Sequence, residues 1–370
     1  MTQAQEIGCY IHVPFCKAKC PYCDFYSLPG RAELRQAFAE TTAARLEAAA
    51  AEGYRWRSLY LGGGTPSVLE PAQLALILQA ARTALVPGAE LTVECNPSST
   101  SRALCETLAR HGVNRVSLGL QTAVDAERKA LGRRGGAEEV NRAVLLLRGA
   151  GIENISLDLM LGVPCQSVES LGESLRFCVQ AGIKHVSAYL LKVEPGTPFA
   201  KKPPAGLADE ELQCALYLAA CEALDCAGLP QYEISSFASP GFEGRHNLQY
   251  WNAAEYFALG PGAHGFTGGR RWHYPRDLAA FLAGAPPVLD GDGGDLEEYA
   301  LLRLRLVEGL RRDLLQVRFG CDIPAAWLRQ AALLAAGGLC VCDAEGIRLT
   351  RQGFLLSNQV TGFLLNTAPQ

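Results

Sequence analysis

Short apolar runs alternate with amphipathic stretches over the first half of the chain, and this alternation limits the folds that it can adopt. Six runs have the composition of β-strands, namely residues 7–13, 58–61, 90–94, 115–119, 155–159 and 185–190. Helical patterns fill the intervals, as in the strand–helix units that build a parallel sheet with right-handed crossovers. Several runs are apolar throughout, which indicates strands buried on both faces. The pattern predicts an α/β fold.

The number of strand–helix units leaves two architectures open. Six units are two short of a closed eight-fold barrel, so a doubly wound sheet and an incomplete barrel both fit the pattern. In either architecture, ligands bind where loops leave the carboxyl ends of the parallel strands. The sequence therefore predicts a site at that edge of the sheet.

Three closely spaced cysteines follow the first predicted strand. Cys16, Cys20 and Cys23 have the spacing C-x3-C-x2-C. A structural zinc site takes four ligands and a common ferredoxin-type cluster takes four thiolates, so three thiolates indicate an iron–sulfur cluster with one iron left open. Cys9 and His12 are the nearest further ligands for zinc, but both lie within the apolar strand and on opposite faces of it. An open iron is a place where a small molecule can bind.

Charge and composition narrow the choice of partners. The chain has 370 residues and a net charge of −4, with its basic residues scattered, so it has no electrostatic footprint for nucleic acid. No apolar run approaches the length of a membrane span, and the first six residues lack the pattern of a secretion signal. We therefore expect a cytoplasmic protein that binds small molecules or other proteins, and whose cysteines are mostly free thiols.

Two breaks in the pattern divide the chain into three predicted parts. The first break is the Lys-Lys-Pro-Pro-Ala-Gly segment at residues 201–206, and the second is the Gly/Asp-rich segment at residues 290–295. We predict a partial barrel over residues 1–203, an extension of the barrel over 204–289, and a C-terminal domain over 290–370. Short helices and a strand–turn–strand pattern at 339–349 indicate a winged-helix-like domain, but its surface is too weakly basic to predict DNA binding.

Polar residues mark the ends of several predicted strands. They are the glycine run at residues 62–64 with Thr65, followed by Glu94, Gln121, Arg133 and Asp158. Consecutive glycines let the backbone approach a ligand closely, carboxylates and amides can bind ribose hydroxyls, and arginine pairs with a carboxylate. Each residue alone would more often be a turn or a helix cap. Their coincidence at one sheet edge favours a ligand site.

Two histidines stand beside unusual neighbours. His246 lies in Arg-His-Asn-Leu-Gln-Tyr-Trp at residues 245–251, and His264 ends Gly-Pro-Gly-Ala-His at residues 260–264. A lone histidine usually binds nothing. Imidazole close to Tyr250 and Trp251 could nevertheless hold a haem, with nitrogen on the iron and the rings packed on the macrocycle. His264 presents the same two alternatives.

Longer motifs give the chain a resemblance to a known family. The cysteine spacing resembles that of the radical S-adenosylmethionine superfamily, and the whole chain resembles its oxygen-independent coproporphyrinogen III oxidase family, more closely the HemW branch of haem chaperones. Matching segments include Tyr-Ile-His-Val-Pro-Phe-Cys at 10–16, Cys-Pro-Tyr-Cys-Asp-Phe at 20–25, Leu-Gly-Gly-Gly-Thr-Pro-Ser at 61–67, Arg-His-Asn-Leu-Gln-Tyr-Trp at 245–251 and Gly-Pro-Gly-Ala-His at 260–264.

The resemblance implies a fold and a set of ligands. The fold would be an incomplete (β/α)6 barrel with a small C-terminal domain. Three residues would bind a [4Fe-4S] cluster: Cys16, Cys20 and Cys23. Nine residues fall where the family contacts S-adenosylmethionine: Tyr10, Tyr22, Gly63, Gly64, Thr65, Glu94, Gln121, Arg133 and Asp158. His246 falls in the haem-associated His-Asn-x-x-Tyr-Trp motif of the HemW branch.

Departures from the family pattern help to choose between the functions found in this family. The true oxidase has a further cysteine where this chain has Phe25, and a longer N-terminal extension that this chain lacks. Both differences favour a haem chaperone that delivers haem to an acceptor protein of unknown identity. The alternatives are an oxygen-independent coproporphyrinogen III dehydrogenase and a radical enzyme that acts on another substrate. A further departure is Cys165, where the family commonly has glycine, which leaves the local turn unpredicted.

Overall fold

All six predicted strands are present in the computed structural model, which describes residues 5–29, 31–133 and 135–366. Each strand contains the predicted run and most extend beyond it: β1 (Gln5–Val13), β2 (Tyr54–Gly63), β3 (Leu85–Cys95), β4 (Arg115–Gln121), β5 (Asn154–Leu161) and β6 (His185–Leu190). Helices connect them: α1 (Ala32–Ala51), α2 (Pro71–Arg82), α3 (Arg102–Arg110), α4 (Asp125–Ala130), α5 (Ala137–Gly149) and α6 (Val168–Gln180).

Local sequence fixes where several of these helices begin. The Ser101 side chain accepts a hydrogen bond from Leu104 N and so caps α3. Ser167 and Ser170 form a reciprocal capping box at the start of α6. These hydroxyls satisfy backbone N–H groups that have no partner within the helix.

Strand order decides between the two predicted architectures. The six strands are parallel and adjacent in chain order, β1 to β6. A doubly wound sheet would reverse this order at a switch point, whereas a barrel keeps it. The two outer strands do not pair with each other, because β9 (Tyr256–Leu259) lies beside β1 and β8 (Ser236–Ala238) lies beside β6. The predicted incomplete (β/α)6 barrel is therefore confirmed.

The two faces of this parallel sheet differ in polarity. Alternate residues such as Leu59, Leu61 and Val93 belong to the apolar core beneath the helices. The residues between them, such as Tyr60 and Glu94, point to the concave face and hydrogen-bond to each other there. The outer face is apolar and buried, whereas the concave face is only partly buried near the carboxyl ends of the strands, so the prediction of burial on both faces holds in part. The concave face provides a polar interior for a site.

The chain after β6 extends the same sheet at both edges. Its remaining elements up to residue 292 are α7 (Pro198–Lys201), α8 (Glu210–Cys226), β7 (Gln231–Glu233), β8, α9 (Arg245–Trp251), β9, β10 (His264–Thr267), β11 (Arg270–His273), α10 (Leu278–Leu282) and β12 (Val288–Asp292). The sheet order is β12-β11-β10-β9-β1-β2-β3-β4-β5-β6-β8-β7. The strands β9 to β12 form a flank beside β1. Neighbouring strands within this flank are antiparallel.

The last part of the chain forms a second, small sheet among helices. Its elements are α11 (Leu296–Arg303), β13 (Leu310–Arg311), α12 (Arg312–Phe319), α13 (Ala325–Ala336), β14 (Cys340–Cys342), β15 (Gly346–Leu349), α14 (Arg351–Leu355) and α15 (Ser357–Leu365). β14 and β15 are the hairpin predicted at 339–349. The boundary predicted at 289/290 falls inside β12, and residues 1–4 and 367–370 of the predicted domains lie outside the described residues. None of the helices described is long and apolar enough to cross a membrane.

Candidate active site at the carboxyl ends of the strands

The three cysteines lie on a loop that leaves β1 and is tied at its base. Cys16 N donates to Leu28 O at 3.1 Å, and Leu28 N donates to Pro14 O at 2.8 Å. All three thiols are free and partly exposed. Cys16 Sγ lies 3.3 Å from Thr65 Oγ1, which connects the cysteine loop to the loop after β2. The loop therefore presents three thiols beside the glycine run.

The three thiols are not gathered as ligands around a single metal ion would be. Around one zinc ion, tetrahedral Zn–S bonds of about 2.3 Å place sulfurs about 3.8 Å apart. Within the described residues, the one group of three or more such ligands gathered within 4.8 Å is His264, His273 and Asp290. The three cysteine sulfurs therefore do not all lie within 4.8 Å of one another. In a cluster each thiolate binds a separate iron, so the sulfurs need not surround a single ion.

The thiols also influence each other electrostatically. Burial raises the pKa of the Cys23 thiol, and the neighbouring Cys20 and Cys16 raise it further. Three thiolates close together in a partly buried loop repel one another. Positive iron at this place would remove that repulsion. The donor set therefore fits an iron–sulfur cluster.

The glycine run after β2 packs against the start of the cysteine loop. Gly64 N donates to Val13 O at 2.9 Å, and Thr65 N donates to Phe15 O at 2.7 Å. A Cβ on Gly64 would lie 2.6 Å from Val13 O, and Gly63 has a φ of +98° that favours glycine. Contacts inside the protein are therefore sufficient to explain these two glycines, which hold Thr65 against Cys16.

Two partly buried carboxylates lie on the concave face. Glu94 accepts hydrogen bonds from Tyr60 OH at 2.7 Å and Gly63 N at 3.1 Å. Asp158 accepts from Ser117 Oγ at 2.8 Å. Burial raises the pKa of Glu94 to about 7, with Asp158 adding to the effect, and burial raises the pKa of Asp158 to about 6. Both groups are held by neutral donors and are poised to bind a cationic or hydroxyl-bearing ligand.

Gln121 and Arg133 complete the polar edge. Gln121 adopts a φ of 66° at the end of β4, a left-handed conformation that is uncommon for a residue with a side chain. Its Oε1 accepts from Tyr189 OH at 3.1 Å. Arg133 Nη1 donates to Tyr22 OH at 3.0 Å, and this bond joins α4 and its following turn to the cysteine loop. Unusual backbone at a sheet edge is a common companion of a functional site.

Among the residues predicted to contact S-adenosylmethionine, Tyr10 lies farthest toward the flank. Its hydroxyl donates to His12 Nδ1 at 3.1 Å, and its ring lies 6.1 Å from the ring of Tyr60. His12 in turn donates through Nε2 to Tyr26 O at 2.8 Å. The predicted S-adenosylmethionine residues thus form connected groups along the concave face and its loops.

Sequence reasoning missed several residues of this interior. Tyr60, Ser117 and Tyr189 each hydrogen-bond to a predicted site residue. Tyr60 and Ser117 each lie inside a strand that had been interpreted as core. The available signal was the period of two: polar residues recur at alternate positions of β2 to β6, which marks one polar face.

His246 lies in the interior of the fold, farther from the carboxyl ends of the strands than Glu94 and Asp158. It is the second residue of α9, where Glu90 Oε1 accepts from its backbone N at 2.8 Å. Glu90 stands four residues before Glu94 on β3, which is about 13 Å along a strand. The His246 ring is 1% exposed and uses both nitrogens, Nδ1 with Ser58 Oγ at 2.6 Å and Nε2 with Tyr250 OH at 2.7 Å. Burial lowers its pKa to about 3, so the ring is neutral.

A groove opens between the cysteine loop and the flank. Its volume is about 350 Å³, and its lining is largely aromatic: Tyr10, His12, Phe25, Tyr26, Tyr250, Tyr256, Gly262, His264 and Arg276. Phe25 is 63% exposed, which is unusual for phenylalanine. We call this cavity the aromatic groove. Tyr250, which lines the groove, hydrogen-bonds to His246 through its hydroxyl.

The partial barrel and its cysteine loop define the class of the protein. Residues 10–178 match the family model of the radical SAM superfamily, and residues 295–356 match the HemN C-terminal domain. The solved structure described as coproporphyrinogen III oxidase (HemN) from Escherichia coli superposes with a TM-score of 0.84 at 18% identity, over 98% of this chain and 91% of that one. The fold is thus that of a radical SAM protein, a superfamily whose members carry a [4Fe-4S] cluster and S-adenosylmethionine.

Curated relatives then specify the family. The heme chaperone HemW of Mycobacterium tuberculosis is 36% identical over 98% of this chain and 95% of its own length. The heme chaperone HemW of Escherichia coli is 34% identical over 99% of this chain and its entire length. A mitochondrial radical S-adenosyl methionine domain-containing protein 1 of Bos taurus is 35% identical over 71% of this chain. The chain belongs to the HemW family, as its motifs predicted.

Proposed function

We propose that this protein is a haem chaperone, which binds haem and transfers it to an acceptor protein while carrying a [4Fe-4S] cluster and S-adenosylmethionine. The observation that carries the proposal is the match to proteins named heme chaperone HemW across nearly the whole chain. The aromatic groove supports it from the structural side, because a porphyrin is a flat apolar ring that packs against aromatic side chains.

The cluster would be held by Cys16, Cys20 and Cys23. When bound, it supplies an electron-transfer centre with one iron open to a further ligand. Thr65 Oγ1, at 3.3 Å from Cys16 Sγ, would hydrogen-bond to that thiolate, and hydrogen bonds to sulfur tune the reduction potential of such clusters. The tied base of the loop keeps the three thiols on one side of the barrel mouth.

S-adenosylmethionine would lie over the polar edge of the sheet. Glu94 and Asp158 would accept hydrogen bonds from its ammonium and ribose hydroxyl groups, and Arg133 would pair with its carboxylate. An ammonium group beside Glu94 would lower the pKa of that carboxyl and keep it ionised. Gln121, Tyr10, Tyr22 and the loop of Gly63, Gly64 and Thr65 complete the proposed contacts.

Haem would bind in the aromatic groove. The groove is formed by the cysteine loop, β1, the end of α9 and the flank, so haem would lie beside the proposed cluster site. Its open side suits a carrier, because a ligand that must be handed over cannot be enclosed on all sides. The predicted contact of haem with His246 would require the imidazole to give up its bond to Tyr250 or to Ser58.

The competing function is oxidative decarboxylation of coproporphyrinogen III. The aromatic groove could also receive that substrate, and the fold matches that of the oxidase. The position of Phe25 argues against it, since an exposed phenyl ring stands in the groove where the oxidase pattern has a cysteine.

One experiment separates the two functions. Anaerobically purified protein is titrated with haem, and the complex is then mixed with apomyoglobin as a reporter acceptor. A chaperone should bind about one haem per chain and release it to apomyoglobin. In parallel, the protein is incubated with reductant, S-adenosylmethionine and coproporphyrinogen III. Multiple turnovers to protoporphyrinogen IX, without haem binding, would replace the chaperone with the dehydrogenase.

A further inference from the structure

We infer that His264, not His246, supplies the axial imidazole to haem bound in the aromatic groove. This inference rests on the proposed haem chaperone function and specifies how its ligand is held. It concerns a residue outside the His-Asn-x-x-Tyr-Trp segment, on a strand that sequence reasoning did not predict.

His264 presents its ring to the groove. It is the first residue of β10, its side chain is 68% exposed, and it lines the groove together with Tyr10 and Tyr250. Its Nδ1 faces Asp290 Oδ2 at 3.7 Å. Within the described chain no hydrogen bond engages its Nε2. The ring therefore has one nitrogen oriented by the protein and one available to iron.

The neighbouring strands hold this ring in place. His264 is directly opposite His273 on β11, and the two rings stack with centroids 5.2 Å apart. Asp290 accepts from His273 Nδ1 at 2.6 Å. Asp290 has no partner of its own in the ladder between β11 and β12, because the register shifts between Arg271 and Trp272. Such a bulge turns a side chain out of the regular pleat, here toward both histidines.

A carboxylate stands close to one nitrogen of this imidazole, with Asp290 Oδ2 at 3.7 Å from Nδ1. A neutral imidazole with a carboxylate near its second nitrogen is the usual arrangement of metal-binding histidines, since the carboxylate fixes the tautomer and raises the basicity of the ligand.

The rest of the groove matches the other parts of a haem. Tyr250 and Tyr256 pack edge to face with centroids 4.5 Å apart and offer aromatic surface to a macrocycle. Arg276 is 60% exposed and pairs with Asp24 at 3.2 Å. A surface ion pair contributes little to stability, so Arg276 can exchange Asp24 for a haem propionate.

His246 has the opposite surroundings. Its ring is almost fully buried, both nitrogens are hydrogen-bonded, and Tyr250 OH stands at its Nε2, between the imidazole and the groove. We therefore assign His246 as a positioning residue, which orients Tyr250 in the groove wall. The motif would then act on haem through the tyrosine.

The test compares variants by haem spectroscopy on the full chain with its cluster in place. Ferric haem is added to wild type, His264→Ala, Tyr250→Phe and the control His111→Ala, which alters a histidine at the end of α3. Absorbance and electron paramagnetic resonance report the axial ligand. Wild type and His111→Ala should show an imidazole-ligated haem, and His264→Ala should lose that signature and bind at least tenfold more weakly.

Added imidazole gives a second criterion. It should restore the ligated spectrum in His264→Ala, because the groove remains and only the ligand is missing. Tyr250→Phe removes the hydroxyl that engages His246 and should keep the imidazole signature. Asp290→Asn should also keep the signature but raise the haem reduction potential, since the carboxylate no longer strengthens the imidazole as a donor.

The possible results distinguish an error in the assigned axial ligand from an error in the proposed function. An unchanged spectrum in His264→Ala, with the signature lost in His246→Ala that retains the wild-type circular dichroism, would overturn the assignment and leave the haem chaperone standing. Absence of haem binding in wild type would remove the proposed function and the assignment with it. Circular dichroism of His264→Ala should match wild type, because the residue is exposed.

Discussion

The polar residues of the parallel half and those of the flank are held in different ways. Glu94 and Asp158 are largely shielded from solvent, are hydrogen-bonded to neutral donors, and have raised pKa values. His264 and Arg276 on the flank side are exposed and form weak surface pairs with acidic partners. One set is fixed before any ligand arrives, and the other is solvated and free to exchange partners.

This difference matches the two proposed ligands. A cofactor that stays bound benefits from a preformed site, because no reorganisation is needed on binding. A haem that must leave benefits from an open groove whose contacts can be replaced one by one. Both regions meet at Tyr10, which contacts Tyr60 on the parallel side and lines the aromatic groove.

Removal of one cysteine should have the largest effect on this arrangement. We expect Cys20→Ala to abolish the [4Fe-4S] cluster, because no fourth cysteine stands on the loop to replace it. Iron and sulfide analysis of anaerobically reconstituted protein measures this. Cys226→Ala is the matched control, since Cys226 is an exposed thiol on α8. An intact four-iron cluster in Cys20→Ala would disprove the assignment of Cys20 as a cluster ligand.

The two carboxylates of the concave face should control the affinity for S-adenosylmethionine. Glu94→Gln and Asp158→Asn each remove a charge-assisted hydrogen bond, which costs about 1.5 to 3 kcal/mol, or roughly tenfold or more in Kd. Calorimetry on the cluster-containing protein measures the affinity. Glu173→Gln, on the exposed surface of α6, should bind as wild type does. Unchanged affinity in both variants would move the cofactor away from this edge.

The same glutamate should make the stability of the ligand-free protein depend on pH. Its pKa of about 7 in the fold lies above the ordinary value of 4.5, so the folded state binds the proton more tightly. Wild-type stability therefore falls as pH rises from about 4.5 to 7. We expect Glu94→Gln to be more stable than wild type by about 1 to 3 kcal/mol at pH 8. At pH 4, below the ordinary value of 4.5, the gain should nearly vanish.

Chemical unfolding at the two pH values measures this difference. Glu173→Gln provides the baseline for an exposed glutamate. A gain of the same size at both pH values would mean that packing, and not the buried charge, separates Glu94→Gln from wild type. If Glu94→Gln is more stable but binds S-adenosylmethionine less well, then Glu94 lowers the stability of the ligand-free protein while it strengthens binding.

The sequence predicted the parallel half well because its signals are local. Apolar runs, capping serines and strand-end glycines each act within a few residues, and all six strands and the cysteine loop followed from them. The order of the strands, which excludes a doubly wound sheet, could not be predicted from these local signals. It depends on which distant strands pair. The polar concave face was also overlooked, although the alternation of Glu90, Thr92 and Glu94 with apolar neighbours encodes it.

The flank and the aromatic groove were hard to predict for a physical reason. Strands β9 to β11 have four residues each, too short for a clear period. The groove joins Phe25, Tyr250 and His264 from three separate parts of the chain. The burial of His246 likewise depends on Ser58 and Glu90, far away in sequence. The location of His246 in the haem site therefore stays a prediction.

Loss of the Ser58 hydroxyl should show that His246 is part of the interior. Ser58 Oγ lies 2.6 Å from His246 Nδ1 and accepts from Gln249 Nε2 at 2.6 Å. Ser58→Ala leaves the buried His246 Nδ1 and the partly buried Gln249 Nε2 without this partner and should lower the free energy of unfolding by about 1 to 3 kcal/mol. Ser239→Ala, whose hydroxyl bond lies at the surface, should cost much less. Equal losses would mean that His246 readily finds another partner.

The smallest expected effect concerns Cys165, where the family pattern has glycine. Cys165 has a φ of 65°, a left-handed conformation that a side chain makes unfavourable by about 1 to 2 kcal/mol. Its backbone N donates to Gly206 O at 2.7 Å, so the turn is held by the following segment and keeps its shape. Cys165→Gly removes the strain but makes the unfolded chain more flexible, which offsets part of the gain. We expect a net stabilisation of about 0.5 to 1 kcal/mol, measured by denaturant unfolding, whereas Cys165→Ala keeps the strain and should gain nothing. Equal stability of the glycine and alanine variants would show that the turn can relax around the side chain.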